Sequence, residues 1–286
     1  MGHCPLALSP KINLQRRCEV TRIDKVFRRL KEKGEKALIP FITAGDPDRE
    51  TSRRLALEIA ARGADLLELG IPFSDPLADG PTIQAASSRA LQAGVHFNDV
   101  LALAGSLRRE TDIPLILMGY YNPILQYGLA QAAKDAAGQG VDGFIIPDLP
   151  PEEAESWRVA ARSAGIATIF LAAPTSGPDR IKTLGRLTRG FLYYVSVTGI
   201  TGARTELPPE LIRELEEVHT LVKCPVAVGF GIGTPEQVKN LAPYVEGVVV
   251  GSAIVSRVSK LTGLQSVKEI GDFVAALKAP LRGGGH

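Results

Sequence analysis

The chain has 286 residues, 45% of them hydrophobic and 22% charged, with a formal net charge of +2. This is the composition of a soluble globular protein long enough to build a large core without disulfides. It excludes a nucleic-acid footprint, because no basic run tracks a phosphate backbone. The three cysteines (Cys4, Cys18, Cys224) form no CxxC pair, and the four histidines stand at no metal-ligand spacing. Neither a disulfide framework nor a metal site is expected. The N-terminal stretch lacks the apolar segment of a secretory signal, and no later run is long and apolar enough to span a bilayer, so a cytoplasmic protein is expected.

In chain order, residues 1–19 read as a flexible extension. Thr21–Lys33 follows as a helix, with Ile23, Val26, Phe27 and Leu30 on one face. Eight strands are then expected at Ala37–Thr43, Leu66–Gly70, Pro114–Met118, Gly143–Ile146, Thr168–Leu171, Phe191–Ser196, Val226–Gly229 and Val248–Val250. Most are continuous apolar runs, the pattern of parallel strands buried on both faces. Helical patterns alternate with them at Arg49–Ala61, Thr82–Ala93, Asn98–Arg109, Leu129–Ala137, Glu152–Ala164, Asp179–Leu187, Pro209–Val218 and Pro235–Leu241. Asp148-Leu-Pro-Pro-Glu and Gly233-Thr-Pro-Glu read as helix starts. Ser252–Leu261 is a short extra helix, Ser266–Lys278 closes the chain, and residues 283–286 read as a flexible tail.

Eightfold strand–helix alternation predicts an α/β fold, a (β/α)₈ TIM barrel formed by residues 20–282 as one catalytic domain, with the extra N-terminal helix capping the barrel bottom. The competitor is an open doubly wound sheet. That fold carries a glycine fingerprint after its first strand, whereas here the strand ends in Thr43-Ala-Gly-Asp-Pro47.

Barrel sites form at the C-terminal strand ends. Glu68 lies in the apolar run Leu66-Leu-Glu-Leu-Gly70. It is either a buried carboxylate held by partners, or an acid–base group whose pKa is raised by its surroundings. The next loop, Ile71-Pro-Phe-Ser-Asp-Pro-Leu-Ala-Asp-Gly-Pro81, contains Asp75, suited to turn chemistry, and Asp79. Asp79 is either an N-cap for the following helix or a second carboxylate of the site. Three glycine-rich segments follow the last three strands: Thr198-Gly-Ile-Thr-Gly202, Gly229-Phe-Gly-Ile-Gly233 and Gly251-Ser-Ala253. In this order on a barrel they suggest phosphate binding by backbone N–H groups and a helix N-terminus.

The run Leu67–Pro81 resembles the signature of the tryptophan synthase alpha chain family. Pro40–Pro47, Tyr193–Ser196 with Thr198–Gly202, Gly229–Ile232 and Gly251–Val255 resemble further family segments, and the likeness runs from about Val20 to the last helix. The resemblance implies retro-aldol cleavage of indole-3-glycerol phosphate to indole and glyceraldehyde 3-phosphate, a lyase step in tryptophan biosynthesis. It implies Glu68 as the main acid–base residue, Asp79 as the carboxylate that bonds the indole N–H, and Tyr193 in an assisting role. Phe41, Tyr120, Ile145 and Phe230 match indole-pocket positions. Gly202, Phe230, Gly231, Gly251 and Ser252 match phosphate-binding positions, and Thr201 matches a loop residue that closes the site.

The resemblance further implies an α₂β₂ heterotetramer in which the β chain carries pyridoxal phosphate. No cofactor is expected in this chain, and neither nucleic acid nor membrane is an expected partner. The loops at Pro72–Gly80 and Val197–Leu207 match segments that meet or respond to β. Three departures stand out. Met1–Glu19 has no family counterpart, and Val20 is expected to be the native start, encoded by GTG. Pro147 stands where some members are expected to have a smaller residue, and Phe191 where some have Tyr. The alternatives are another phosphate-barrel isomerase or epimerase, a stand-alone lyase of the same fold, and a non-catalytic activator of β.

Overall fold

The computed structural model describes residues 20–195, 207–229, 231–260 and 265–283. Nine strand segments form one sheet: β1 (Ala37–Thr43), β2 (Leu67–Gly70), β3 (Leu115–Met118), β4 (Gly143–Ile145), β5 (Ala167–Ile169), β6 (Leu171–Ala172), β7 (Leu192–Val195), β8 (Val226–Gly229) and β9 (Gly247–Val250). All pairs are parallel, in the order β5-β4-β3-β2-β1-β9-β8-β7-β6. The two ends of that order are one stretch of chain. The expected strand Thr168–Leu171 is split at Phe170, whose N–H leaves the ladder for Thr188 Oγ1 at 3.1 Å. The Phe170 carbonyl still accepts from Tyr193 N–H at 3.0 Å. One side of this stretch pairs with β4 and the other with β7, which closes the barrel.

The helices are α1 (Arg22–Glu32), α2 (Arg49–Ala61), α3 (Pro81–Gln92), α4 (Phe97–Arg108), α5 (Tyr121–Tyr127), α6 (Leu129–Gly138), α7 (Glu155–Ala164), α8 (Pro178–Leu187), α9 (Pro209–Leu221), α10 (Pro235–Leu241), α11 (Ser252–Val258) and α12 (Gln265–Lys278). Gly233-Thr-Pro-Glu does start a helix: Thr234 and Gln237 form a capping box around Pro235. Asp148-Leu-Pro-Pro-Glu does not. Its prolines lie in a turn, and the helix begins three residues later than expected, at Glu155. The Asp148 carboxylate instead accepts the Tyr121 N–H at 2.8 Å, where α5 begins. That helix, Tyr121–Tyr127, was not anticipated, because seven residues with a proline among them carry no readable periodicity.

Strand alternation divides the core in two. Ile39, Ile116, Ile145, Ile169, Phe191, Ala227 and Val249 fill the barrel interior. Leu38, Ile42, Leu69, Leu117, Val228 and Val248 face outward and pack under the helices. α1 closes the N-terminal mouth. Thr21 caps it, with Oγ1 accepting from Asp24 N at 3.1 Å and the Asp24 carboxylate accepting from Thr21 N at 2.9 Å. The helix drives Ile23, Phe27 and Leu30 into the interior cluster, where the Phe27 and Phe191 ring centroids stand 5.7 Å apart.

Candidate active site

The register places the site at the opposite, C-terminal mouth. Glu68 pairs with Phe41 on one side and Ile116 on the other, so all three side chains turn inward at one level. Glu68 is 0% exposed. Neither carboxyl oxygen has a hydrogen-bond partner, and the ion pairs of the described residues do not include it. The reading that made it a structural carboxylate required such partners. Burial pushes its pKa well above the ordinary carboxyl range, which favours the neutral acid.

Asp79 lies on the loop after β2. It does not cap α3: Gly80 is the N-cap, without a side-chain cap bond, and Pro81 takes the first helical position. The Asp79 carboxylate instead accepts a hydrogen bond from Tyr120 Oη at 3.1 Å. Burial raises its pKa, and the Tyr120 bond pulls the other way. Two carboxyls of the same mouth thus sit in different environments, one without a donor and one with a phenol. Such pairs are the usual basis for dividing acid, base and electrostatic roles.

Tyr193, on β7, faces the same interior. Burial, and then the charges of Glu68 and Asp79, push its phenol far above the ordinary value. Its ring occupies the space where Gly229 has no side chain, since a Cβ there would lie 2.7 Å from the ring Cζ. The Phe41 ring likewise lies over Gly70, where a Cβ would meet Cε2 at 2.9 Å. Phe41 joins Ala86 and Val255 in a small apolar cluster, with Ile83 and Met118 packed on it. Ile145 is fully buried in the interior core.

The described glycine segments meet nearby. Gly231 has φ +79°, a left-handed conformation that favours glycine. A Cβ on Gly233 would touch Ala253 at 3.3 Å, and one on Gly251 would touch Phe41 Cβ at 3.5 Å. Gly251 is the N-cap of α11 and Ser252 its exposed first residue. The extra helix ends at Val258, short of the expected boundary. Thr201, Gly202 and Phe230 lie outside the described residues.

Two residues were missed from sequence. Thr43 is 2% exposed, and its hydroxyl has no partner. It continues the inward series Ile39, Phe41 to the end of β1, a period-two signal that was readable. Asp46 is buried and makes a bidentate pair with Arg89 at 2.7 and 2.8 Å, tying the turn after β1 to α3. Among the described residues no group of three or more His, Cys, Asp or Glu is placed to hold a metal. No helix among them is long and apolar enough to cross a membrane.

A closed parallel barrel with two carboxyls at its C-terminal mouth, beside glycine-lined loops, has the layout of an α/β-barrel enzyme. The family model for the tryptophan synthase alpha chain matches residues 27–279, and the chain belongs to that family. The tryptophan synthase alpha chain of Geotalea uraniireducens is 50% identical over 263 residues, covering 92% of this chain and 98% of that one. That of Geobacter sulfurreducens is 47% identical over 259 residues, covering 91% and 98%. The tryptophan synthase subunit alpha of Legionella pneumophila superposes with a TM-score of 0.84 at 38% identity, covering 91% and 98%. A Mycobacterium tuberculosis tryptophan synthase structure gives 0.83 at 35%, covering 93% and 100%.

Proposed function

We propose that Glu68 and Asp79 carry out the cleavage of indole-3-glycerol phosphate by this chain, a carbon–carbon lyase. The reaction is a retro-aldol step giving indole and glyceraldehyde 3-phosphate. Indole C3 gains a proton, the hydroxyl on the adjacent glycerol carbon loses one, and the bond between the two carbons breaks. Its electron pair returns to the ring as the aldehyde forms. Substrate and products balance without water or an oxidant.

The observation that carries the proposal is the Glu68 carboxyl, wholly buried with neither oxygen bonded. A protonated acid in that position can deliver its proton to C3, and the resulting carboxylate can take the hydroxyl proton, which regenerates the acid. Asp79, whose charged form the Tyr120 hydroxyl favours by hydrogen bonding, accepts the indole N–H and stabilises the cationic ring as C3 is protonated. Tyr193 assists beside both acids. Phe41, Tyr120, Ile145 and Phe230 line the indole pocket. Gly202, Phe230, Gly231, Gly251 and Ser252 bind the phosphate through backbone N–H groups, and Thr201 helps close the site.

The family implies a β-chain partner. The finer reading is an α₂β₂ assembly in a cytoplasmic pathway, with pyridoxal phosphate on β and indole passed to it directly. Leu77, 93% exposed at the tip of the loop bearing Asp79, suits contact with that partner. The decisive experiment incubates the purified chain with indole-3-glycerol phosphate, with and without β, and measures indole. Slow release alone and strong acceleration with β are expected. No release in either condition overturns the proposal, and fast release without β makes the chain a stand-alone lyase.

A further inference from the structure

The loop carrying Asp79 is pinned by one side chain at three points. Tyr120 stands between β3 and α5, where it is the N-cap of the helix. Its hydroxyl accepts the Ala78 N–H at 2.8 Å and donates to Asp79 Oδ2 at 3.1 Å. Its ring stacks on Phe73, with centroids 5.1 Å apart and planes 28° from parallel. A phenol has one proton and two acceptor sites. The Ala78 N–H occupies one acceptor site, which leaves the proton directed at Asp79. The backbone of the loop therefore orients the hydroxyl that holds the carboxylate of the same loop.

We infer that Tyr120 is a positioning residue for Asp79, holding the carboxylate aimed before substrate arrives, and that its hydroxyl acts on Asp79 and not on the substrate. The inference rests on the role proposed for Asp79. Burial raises the Asp79 pKa and the Tyr120 bond is the opposing influence. Of the other groups nearby, the Tyr193 phenol on β7 feels the charges of both Asp79 and Glu68, and Asp148 acts on the Tyr120 phenol from the loop after β4. None of these is a cation that would replace the lost donor. The attachment is rigid: Tyr120 is itself buried, and the next residue, Tyr121, donates its N–H to Asp148 at 2.8 Å.

Tyr120→Phe keeps the stack on Phe73 and removes the hydroxyl. The measurements are kcat and KM for indole release, the pH profile of kcat, and the titration of the Asp79 side-chain carboxyl by carbon NMR. The expected result is a kcat about tenfold lower with KM within about twofold of wild type. Asp79 is expected to titrate at higher pH, and the acid limb of the profile to move the same way. Phe73→Leu, which removes the stack and leaves both hydrogen bonds, is expected to leave the Asp79 titration in place. An unmoved Asp79 titration in Tyr120→Phe overturns the inference. So does a raised KM at unchanged kcat, which would put the hydroxyl on the substrate, or an equal titration shift in Phe73→Leu. A wild-type chain that releases no indole refutes the lyase reading alone, and the titration still decides the role of Tyr120.

Discussion

The N-terminal mouth of the barrel gives its buried carboxyls charged partners, whereas the C-terminal mouth pairs Asp46 with Arg89 at its rim and leaves Glu68 inside without one. At the N-terminal mouth, Asp65 accepts from Leu38 N and from Lys278 Nζ, both at 2.8 Å. Asp142 accepts from Leu115 N at 2.9 Å, Arg108 Nη2 at 2.8 Å and Arg22 Nη1 at 2.9 Å. At the C-terminal mouth Glu68 is buried at least as deeply and is bonded to nothing, and the Thr43 hydroxyl is in the same condition. Burial without a partner destabilises a fold unless a ligand or a reaction uses the group. The bottom of the barrel pairs its buried charges, and the top, the end at which barrel enzymes bind substrate, leaves Glu68 and Thr43 without protein partners.

Breaking the unpartnered acid should have the largest effect on rate. Glu68→Gln keeps the shape and removes the titratable proton. We expect indole release to fall by at least about 10²-fold, in the range of general acid–base catalysis, with the melting temperature equal to wild type or higher. Near-normal turnover would show that Glu68 is not the acid–base group. The stability difference should also depend on pH. The folded-state pKa of Glu68 is raised, so above its unfolded pKa of about 4.3 the folded state holds a proton that the unfolded state has released. Wild-type stability from this group therefore declines as pH rises from that point until the folded carboxyl itself ionises. Glu68→Gln has no such term, so its melting temperature relative to wild type should climb from pH 4 to 7. A flat difference over that range would mean that Glu68 is not strongly perturbed.

Breaking a paired acid should do the reverse. Asp65→Asn leaves Lys278 buried with only Glu35, 3.7 Å away, as a counter-charge. Removing one partner of a buried pair costs about 3–5 kcal/mol, and the remaining counter-charge favours the lower end. A loss of about 3 kcal/mol corresponds to roughly 6–12 °C in melting temperature for a domain of this size. Indole release by the folded protein should stay within about twofold of wild type. A large kcat loss with little change in stability would show that the two mouths are not functionally separate.

The same contrast explains what was legible in the sequence. The strand–helix alternation and the plug helix could be read because both leave apolar periodicities in the sequence, and Glu68 stood out as a lone charge in an apolar run. The choice between its two readings could not be made, because a buried partner such as Lys278 for Asp65 lies 213 residues away. Asp79 was ambiguous for the same reason. Its hydrogen-bond donor, Tyr120, sits 41 residues on, before a helix too short to show a period. Asp65 and Asp142 precede their strands like ordinary turn residues, and nothing local marks them as anchors.

The smallest effect on the isolated chain is expected at the tip of the loop above the site. Leu77 is almost fully exposed, between Asp75 and Asp79, and the loop is held by its own turn bonds, Leu77 N to Asp75 O at 2.9 Å and Asp79 N to Pro76 O at 3.0 Å. Leu77→Ser removes no buried surface, so stability should change by less than about 0.5 kcal/mol. If the loop tip meets a β chain, the side chain goes from solvent to an apolar contact on binding, and its loss should weaken the stimulation of indole release by β. A titration of β against the variant, read as indole release, measures this. Unchanged stimulation would remove Leu77 from the docking surface. A clear drop in melting temperature would show that the leucine already packs against the chain, so that the top of the barrel is less open than its exposed side chains imply.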